Sequence, residues 1–251
     1  MKVEVAQSPN FNARREPVSL LILHYTGMES GDVALARMCD PASEVSAHYM
    51  VWEDGRVTQL VGEDKRAWHA GLSAWKGLTD LNSRSVGIEI VNGGHDVPLA
   101  DGSLPPYPRP QIHALIELCH GVIDRFDIHP MRILGHSDIA PQRKRDPGEH
   151  FPWARMARAG IGLWPPETFT TDPPNLMGKG LEPGVSSASV ERLQIALSKI
   201  GYGLSHSGTY DAETEAVVTA FQRRWLPDQV TGNADIRTLA RIGVIASAPD
   251  D

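Results

Sequence analysis

Apolar positions along this chain fall into two regimes. Residues 18–24, Val18-Ser19-Leu20-Leu21-Ile22-Leu23-His24, form a nearly continuous apolar run, which predicts a strand buried on both faces. A second such run, Ser85-Val86-Gly87-Ile88-Glu89-Ile90-Val91, predicts a central strand that a single carboxylate interrupts. A third, Arg132-Ile133-Leu134, is shorter. Between the first two, Val45 to Leu60 reads as a hairpin turning at Glu53-Asp54-Gly55. Helical spacing marks a short helix over 31–38 and a longer one over 111–126, where Ile112, Leu115, Ile116, Cys119, Val122, Ile123 and Phe126 share a face. A closing helix is expected from Trp153 to Ala159.

Proline and glycine punctuate the rest. Residues 95–110 end in Leu104-Pro105-Pro106-Tyr107-Pro108-Arg109-Pro110 and are expected to form a surface loop. Residues 165–184 read as a linker, separating an N-terminal domain (1–164) from a small C-terminal one (185–246). The latter carries three helical patterns, about 188–200, 212–225 and 235–242, with Asp211 placed to cap the second. These helices are expected to pack on each other as a separate bundle.

Composition narrows the functional classes. A chain of 251 residues, 41% hydrophobic, buries a full core. The net charge of −7 offers no basic footprint for nucleic acid. No run is long enough to span a membrane, and a monomer is expected. Met1 to Pro17 shows neither an export pattern nor a lipid-attachment cysteine, so the cytoplasm is the expected compartment; a chain trimmed of its signal would look the same and act in the periplasm. Cys39 and Cys119 lack CxxC partners; Cys119 is expected to be a buried thiol, with a disulfide between the two left open.

Ten histidines direct attention to metal or acid–base chemistry. Within Gly135–Gly148, His136 and Asp146 stand ten residues apart with Lys144 between them. Zn²⁺ takes imidazole nitrogen and carboxylate oxygen, and a catalytic site keeps a position open for water. His24, at the rim of the first buried strand, is the best third ligand. Glu89 in its apolar strand calls for a partner or a task, because a buried unpaired carboxylate costs several kcal/mol.

Five motifs occur in order: Leu23-His24-Tyr25-Thr26, Ser46-Ala47-His48-Tyr49, Trp68-His69-Ala70-Gly71, Ser85-Val86-Gly87-Ile88-Glu89 and the 135–148 loop. Over about 18–165 the chain resembles zinc-dependent N-acetylmuramoyl-L-alanine amidases of the AmpD/AmiD type, whose fold is shared with peptidoglycan-recognition proteins. The tail, with Leu193-Gln194, Gly208-Thr209-Tyr210-Asp211 and Phe221-Gln222, resembles the three-helix peptidoglycan-binding module of wall hydrolases. The resemblance implies an α/β fold, a mixed central sheet flanked by helices, followed by a small three-helix domain. It also implies a single zinc held by His24, His136 and Asp146, with Glu89 as general base and Lys144 at the oxyanion. The substrate would be peptidoglycan or muropeptides, cut between the lactyl group of muramic acid and L-alanine. Tyr25, Thr26, Asn82 and Arg84 are expected to line the groove, His69 is a candidate substrate contact, and His48 a supporting residue. The competing reading is a non-catalytic recognition protein using the same groove. A zinc peptidase is disfavoured because no His-Glu-x-x-His helix occurs.

Overall fold

A computed structural model describes residues 2–165 and 180–249. Eight strands are present among them: β1 (Val3–Val5), β2 (Phe11–Ala13), β3 (Leu20–Tyr25), β4 (Tyr49–Val51), β5 (Val57–Gln59), β6 (Lys65–Ala67), β7 (Ser85–Ile90) and β8 (Ile133–Gly135). Six of them make a mixed sheet in the order β1-β5-β4-β7-β3-β8, and β2 pairs with β6. The helices are α1 (Gly31–Cys39), α2 (Leu81–Arg84), α3 (Arg109–Phe126), α4 (His136–Ile139), α5 (Trp153–Arg158), α6 (Ala188–Ile200), α7 (Ala212–Trp225) and α8 (Ile236–Ala246).

Alternation along the two buried strands sorts their residues between the faces of the sheet. Leu21 and Leu23 of β3, with Val86, Ile88 and Ile90 of β7, pack under Ile112, Leu115, Cys119 and Val122 of α3. Leu20 and Ile22 therefore point the other way, as does His24 two residues on. The parallel register pairs Leu20 with Ser85, Ile22 with Gly87 and His24 with Glu89. One face thus carries the core under α3, and the opposite face carries His24 and Glu89 side by side.

The predicted strands, hairpin and helices all form, with β4 and β5 antiparallel as the turn requires. The C-terminal α8 runs on to Ala246. Strands β1, β2 and β6 were not expected. Each is three residues long, β1 and β2 are mostly exposed, and each exists through pairing with a distant segment: Val3–Val5 with Val57–Gln59, and Phe11–Ala13 with Lys65–Ala67. Both cysteines are free, and Cys119 is buried. Most of the expected linker, residues 166–179, lies outside the described residues.

The three C-terminal helices are capped by Ser187, Asp211 and Asp235, each accepting a backbone N–H of the first turn. Two buried glutamines hold the connections between them. Gln194 accepts from Gly208 N and Gln222 from Gly232 N, both at 2.9 Å. The expectation of a separate bundle is corrected here. A single core cluster joins Val217, Phe221, Trp225 and Tyr202 of this unit to Leu20, Ile22, Trp75 and Leu134 of the sheet domain. The apolar face of β3 opposite α3 needs a cover, and α4, Trp75 and Leu81 share it with the C-terminal helices packed beyond them.

Candidate metal centre and active-site cleft

Three side chains converge at the carboxyl ends of β3 and β8. His24 comes from the end of β3, His136 from the first turn after β8, and Asp146 from the loop beyond. His24 Nδ1 lies 2.9 Å from His136 Nδ1, and Asp146 Oδ2 lies 3.0 Å from each. All three residues are buried. The Asp146 loop closes against β8 because residue 135 is glycine: a Cβ there would sit 2.7 Å from Pro147 Cδ.

Hydrogen bonding on the far side of each ring sets its tautomer. His136 Nε2 is 3.1 Å from the carbonyl oxygen of Ala70, which can only accept, so Nε2 carries a proton and the neutral ring is bare at Nδ1. The proton on His24 is fixed through two more groups, Ser85 and His69. Ser85 Oγ donates to the Leu81 carbonyl at 2.6 Å, so it accepts from His69 Nε2 at 3.2 Å. His69 Nδ1 is then an acceptor, and at 3.0 Å it takes the proton of His24 Nε2. His24 Nδ1 is bare as well. Two imidazole lone pairs and a carboxylate oxygen, about 3 Å apart and without a proton to share, repel one another unless a cation sits among them.

The electrostatics agree. Burial, followed by the neighbouring His136, pulls His24 down to about 4, so its ring is neutral near pH 7. Burial pushes His69 down too, with His24 and His48 adding to it. Two imidazole nitrogens and a carboxylate oxygen form a donor set that suits zinc.

A cleft of about 440 Å³ opens over these atoms, lined among others by Tyr25, Thr26, His69, Glu89 and Lys144. Glu89 reaches it from β7, and its Oε2 is buried without a hydrogen-bond partner. Burial, and next the charge of Asp146, raises the Glu89 carboxyl well above its ordinary range, while Lys144 pulls the other way. Tyr25 donates or accepts at His95 Nδ1, 3.1 Å away, and burial pushes its phenol up to about 12, so it keeps its proton.

Two expected groove residues lie elsewhere. Asn82 is buried, and its Oδ1 accepts from His69 N at 3.0 Å and Ala70 N at 2.7 Å, shaping the loop from behind. Arg84 pairs with Glu16 at 3.0 Å and does not line the cleft. His48 accepts from Gly87 N through Nδ1 at 2.9 Å, in a supporting position. Sequence reasoning passed over Trp68, Arg37, Arg143 and Arg145, which line the same cleft. The flanking arginines of Lys144 and the tryptophan beside His69 were the available signals.

The family pattern of N-acetylmuramoyl-L-alanine amidase matches residues 14–149, more than half of the chain. The chain belongs to this amidase family. The pattern of a peptidoglycan binding domain matches residues 186–242. Among known proteins, N-acetylmuramoyl-L-alanine amidase AmiD of Escherichia coli is 38% identical over 89% of this amidase and 80% of its own length. The 1,6-anhydro-N-acetylmuramyl-L-alanine amidase AmpD of Haemophilus influenzae is 34% identical over 59% of this chain and 87% of its own. In structure, AmpDh3 of Pseudomonas aeruginosa superposes with a TM-score of 0.77 at 32% identity, covering 94% of this amidase and 93% of that chain. E. coli AmiD, solved with anhydro-N-acetylmuramic acid-L-Ala-D-γ-Glu-L-Lys, gives a TM-score of 0.75 at 36% identity, covering 94% and 90%.

Proposed function

We propose that this amidase is a zinc enzyme of peptidoglycan turnover or recycling that cuts muramyl peptides, the 1,6-anhydro form among them, between the lactyl carbonyl and the L-alanine nitrogen. His24, His136 and Asp146 are the ligands in this reading. The observation that carries it is the proton-free triangle of two Nδ1 atoms and Oδ2, with Glu89 and Lys144 lining the same cleft. Zinc held there supplies Lewis acidity, enough to acidify water to about neutral pH.

The chain's own groups do the rest. Glu89 takes a proton from the attacking water and returns it to the leaving alanine nitrogen, the general acid–base task that an otherwise partnerless buried carboxylate suits. Lys144 stabilises negative charge developing on the lactyl oxygen. Tyr25 and Thr26 line the cleft as polar contacts for the substrate, and His69 acts through His24 rather than on substrate. The relatives' names and the anhydromuramyl peptide bound to AmiD support the substrate class. Residues 185–246 are read as the wall-binding unit, supported by the domain pattern over 186–242.

The test is direct. Purified protein should hold close to one zinc per chain and release a free peptide with N-terminal L-alanine from an anhydromuramyl tripeptide. His136→Ala should lose metal and turnover together. Stoichiometric zinc in that variant would mean the ligands are misassigned, and substrate bound without cleavage by the wild type would favour a recognition protein.

A further inference from the structure

The turn that presents His136 is gripped from behind by the C-terminal helices. Asp138, two residues past His136, folds back so that its Oδ2 accepts from Gly135 N at 2.7 Å and closes the turn. Its Oδ1 accepts from the Tyr202 hydroxyl at 2.9 Å, 64 positions away in sequence. Arg224 of α7 holds the other end of the same segment. Its Nη2 donates to the carbonyl of Ile133 in β8 at 3.0 Å, and its Nη1 lies 3.8 Å from Asp138 Oδ2. The guanidinium is stacked on Trp153, 3.3 Å from the ring centroid. Asp138, Tyr202 and Arg224 are 2%, 2% and 3% exposed. The grip extends to the third ligand, because Ser137 N donates to the Asp146 carbonyl at 2.9 Å.

A unit that only tethers the enzyme to a polymer has no need of this arrangement. A carboxylate, a guanidinium and a phenol buried together cost several kcal/mol in desolvation, and the cost is offset only where each finds a partner. Here the partners are the carbonyl before His136 and the carboxylate after it, so the desolvated groups fix the backbone that aims one metal ligand. A metal site needs its ligands held within about 0.5 Å of productive geometry, by neighbours that are themselves locked. We infer that the C-terminal three-helix unit is a positioning element of the metal centre, acting through Tyr202 and Arg224 on residues 133–138. This rests on the zinc reading proposed above. Tyr202 and Arg224 are positioning residues, since neither reaches the cleft.

The experiment uses the full chain. Tyr202→Phe removes one hydroxyl, and Arg224→Met removes the charge while keeping a stem on Trp153. Zinc affinity is read by competition with a chromophoric chelator, and kcat and KM on a soluble anhydromuramyl tripeptide, which makes no use of wall binding. Each variant should bind zinc about ten-fold more weakly, at the low end for outer-shell partners of a metal site. When saturated with zinc each should show a lowered kcat at unchanged KM. Tyr210→Phe is the control: it removes an equally buried hydroxyl of the same unit, bonded to the Gly232 carbonyl at 2.6 Å and remote from residues 133–138. It should bind zinc like the wild type. The inference is overturned if Tyr202→Phe binds zinc as tightly as wild type, or if Tyr210→Phe weakens zinc equally. Should Arg224→Met fail to fold, Tyr202→Phe decides alone. A wild type that holds no zinc sinks the metal reading and this inference together, whereas a zinc-loaded wild type with unaffected variants sinks only the second.

Discussion

At the scale of single residues, Glu89 has the most to decide. It stands on the face of β7 that looks into the cleft, paired in register with His24, and one of its oxygens is buried with no partner. Glu89→Gln keeps the shape and removes the proton acceptor. Zinc should stay bound while kcat falls by roughly 10²–10⁴-fold, the usual worth of general acid–base catalysis. Because burial and Asp146 raise this carboxyl, it is protonated at pH values where an ordinary glutamate is not, and a protonated base is inactive. Activity should therefore fall on the acidic side from a higher pH than free glutamate would dictate, and Glu89→Gln should lack that limb. Lys144→Ala should also be slow with metal retained, but should keep it. A Glu89→Gln variant turning over muropeptide near the wild-type rate would remove the residue from the mechanism. His69 illustrates what the residue list hides: its position behind His24 follows from hydrogen bonds to Ser85 and Asn82, not from its motif.

At the scale of elements, β7 and the Trp68–Gly71 loop depend on one another. The His69 ring lies flat against Gly87, where an added Cβ would come within 2.4 Å of the ring. The glycine is thus a contact surface for the group that sets the tautomer of His24. Gly87→Ala should force His69 aside, costing about 1–3 kcal/mol of stability as overpacking does, and should weaken zinc retention in a chelator titration. Unchanged zinc affinity in a folded Gly87→Ala protein would show that His24 does not need His69. The glycine inside an apolar run was visible from the start. The reason for it was not, since the ring that covers it comes from a loop 18 residues earlier.

For the whole molecule, buried neutral histidines set an acid limit to stability. Burial lowers His48 to about 3, and burial with His95 nearby lowers His150 to about 4 although Glu149 opposes it. The unfolded chain takes up these protons near the ordinary value of 6.5, before the folded one does. The contribution of these two histidines to stability is therefore complete above about 6.5 and is lost as pH falls toward about 4 for His150 and about 3 for His48. His48 alone accounts for about 2 kcal/mol at pH 5, order of magnitude. The thermal midpoint should drop between pH 7 and pH 5, and His150→Gln should drop less steeply. A midpoint level across that range would contradict the burial-driven shifts.

Much of this protein is written locally. The runs at 18–24 and 85–91 are apolar enough to be buried strands wherever they sit, and the apolar face of 111–126 must be covered. His24, His136 and Asp146 stood out in the sequence because they lie at a strand end and in a Pro- and Gly-punctuated loop, and the fold brings the three together. Local pattern could not reach interactions whose energy comes from distant partners. Strands of three residues such as β1 and β2 form only because another segment completes their ladder. The bareness of His24 Nδ1 depends on a proton chain through residues 69, 85 and 81. Above all, the apolar faces of the C-terminal helices predicted packing on each other, and gave no sign of the sheet domain against which they also pack. Tertiary packing turned them onto Trp75, Ile139 and the His136 turn, in one cluster with Leu20 and Ile22, because β3 buries both faces.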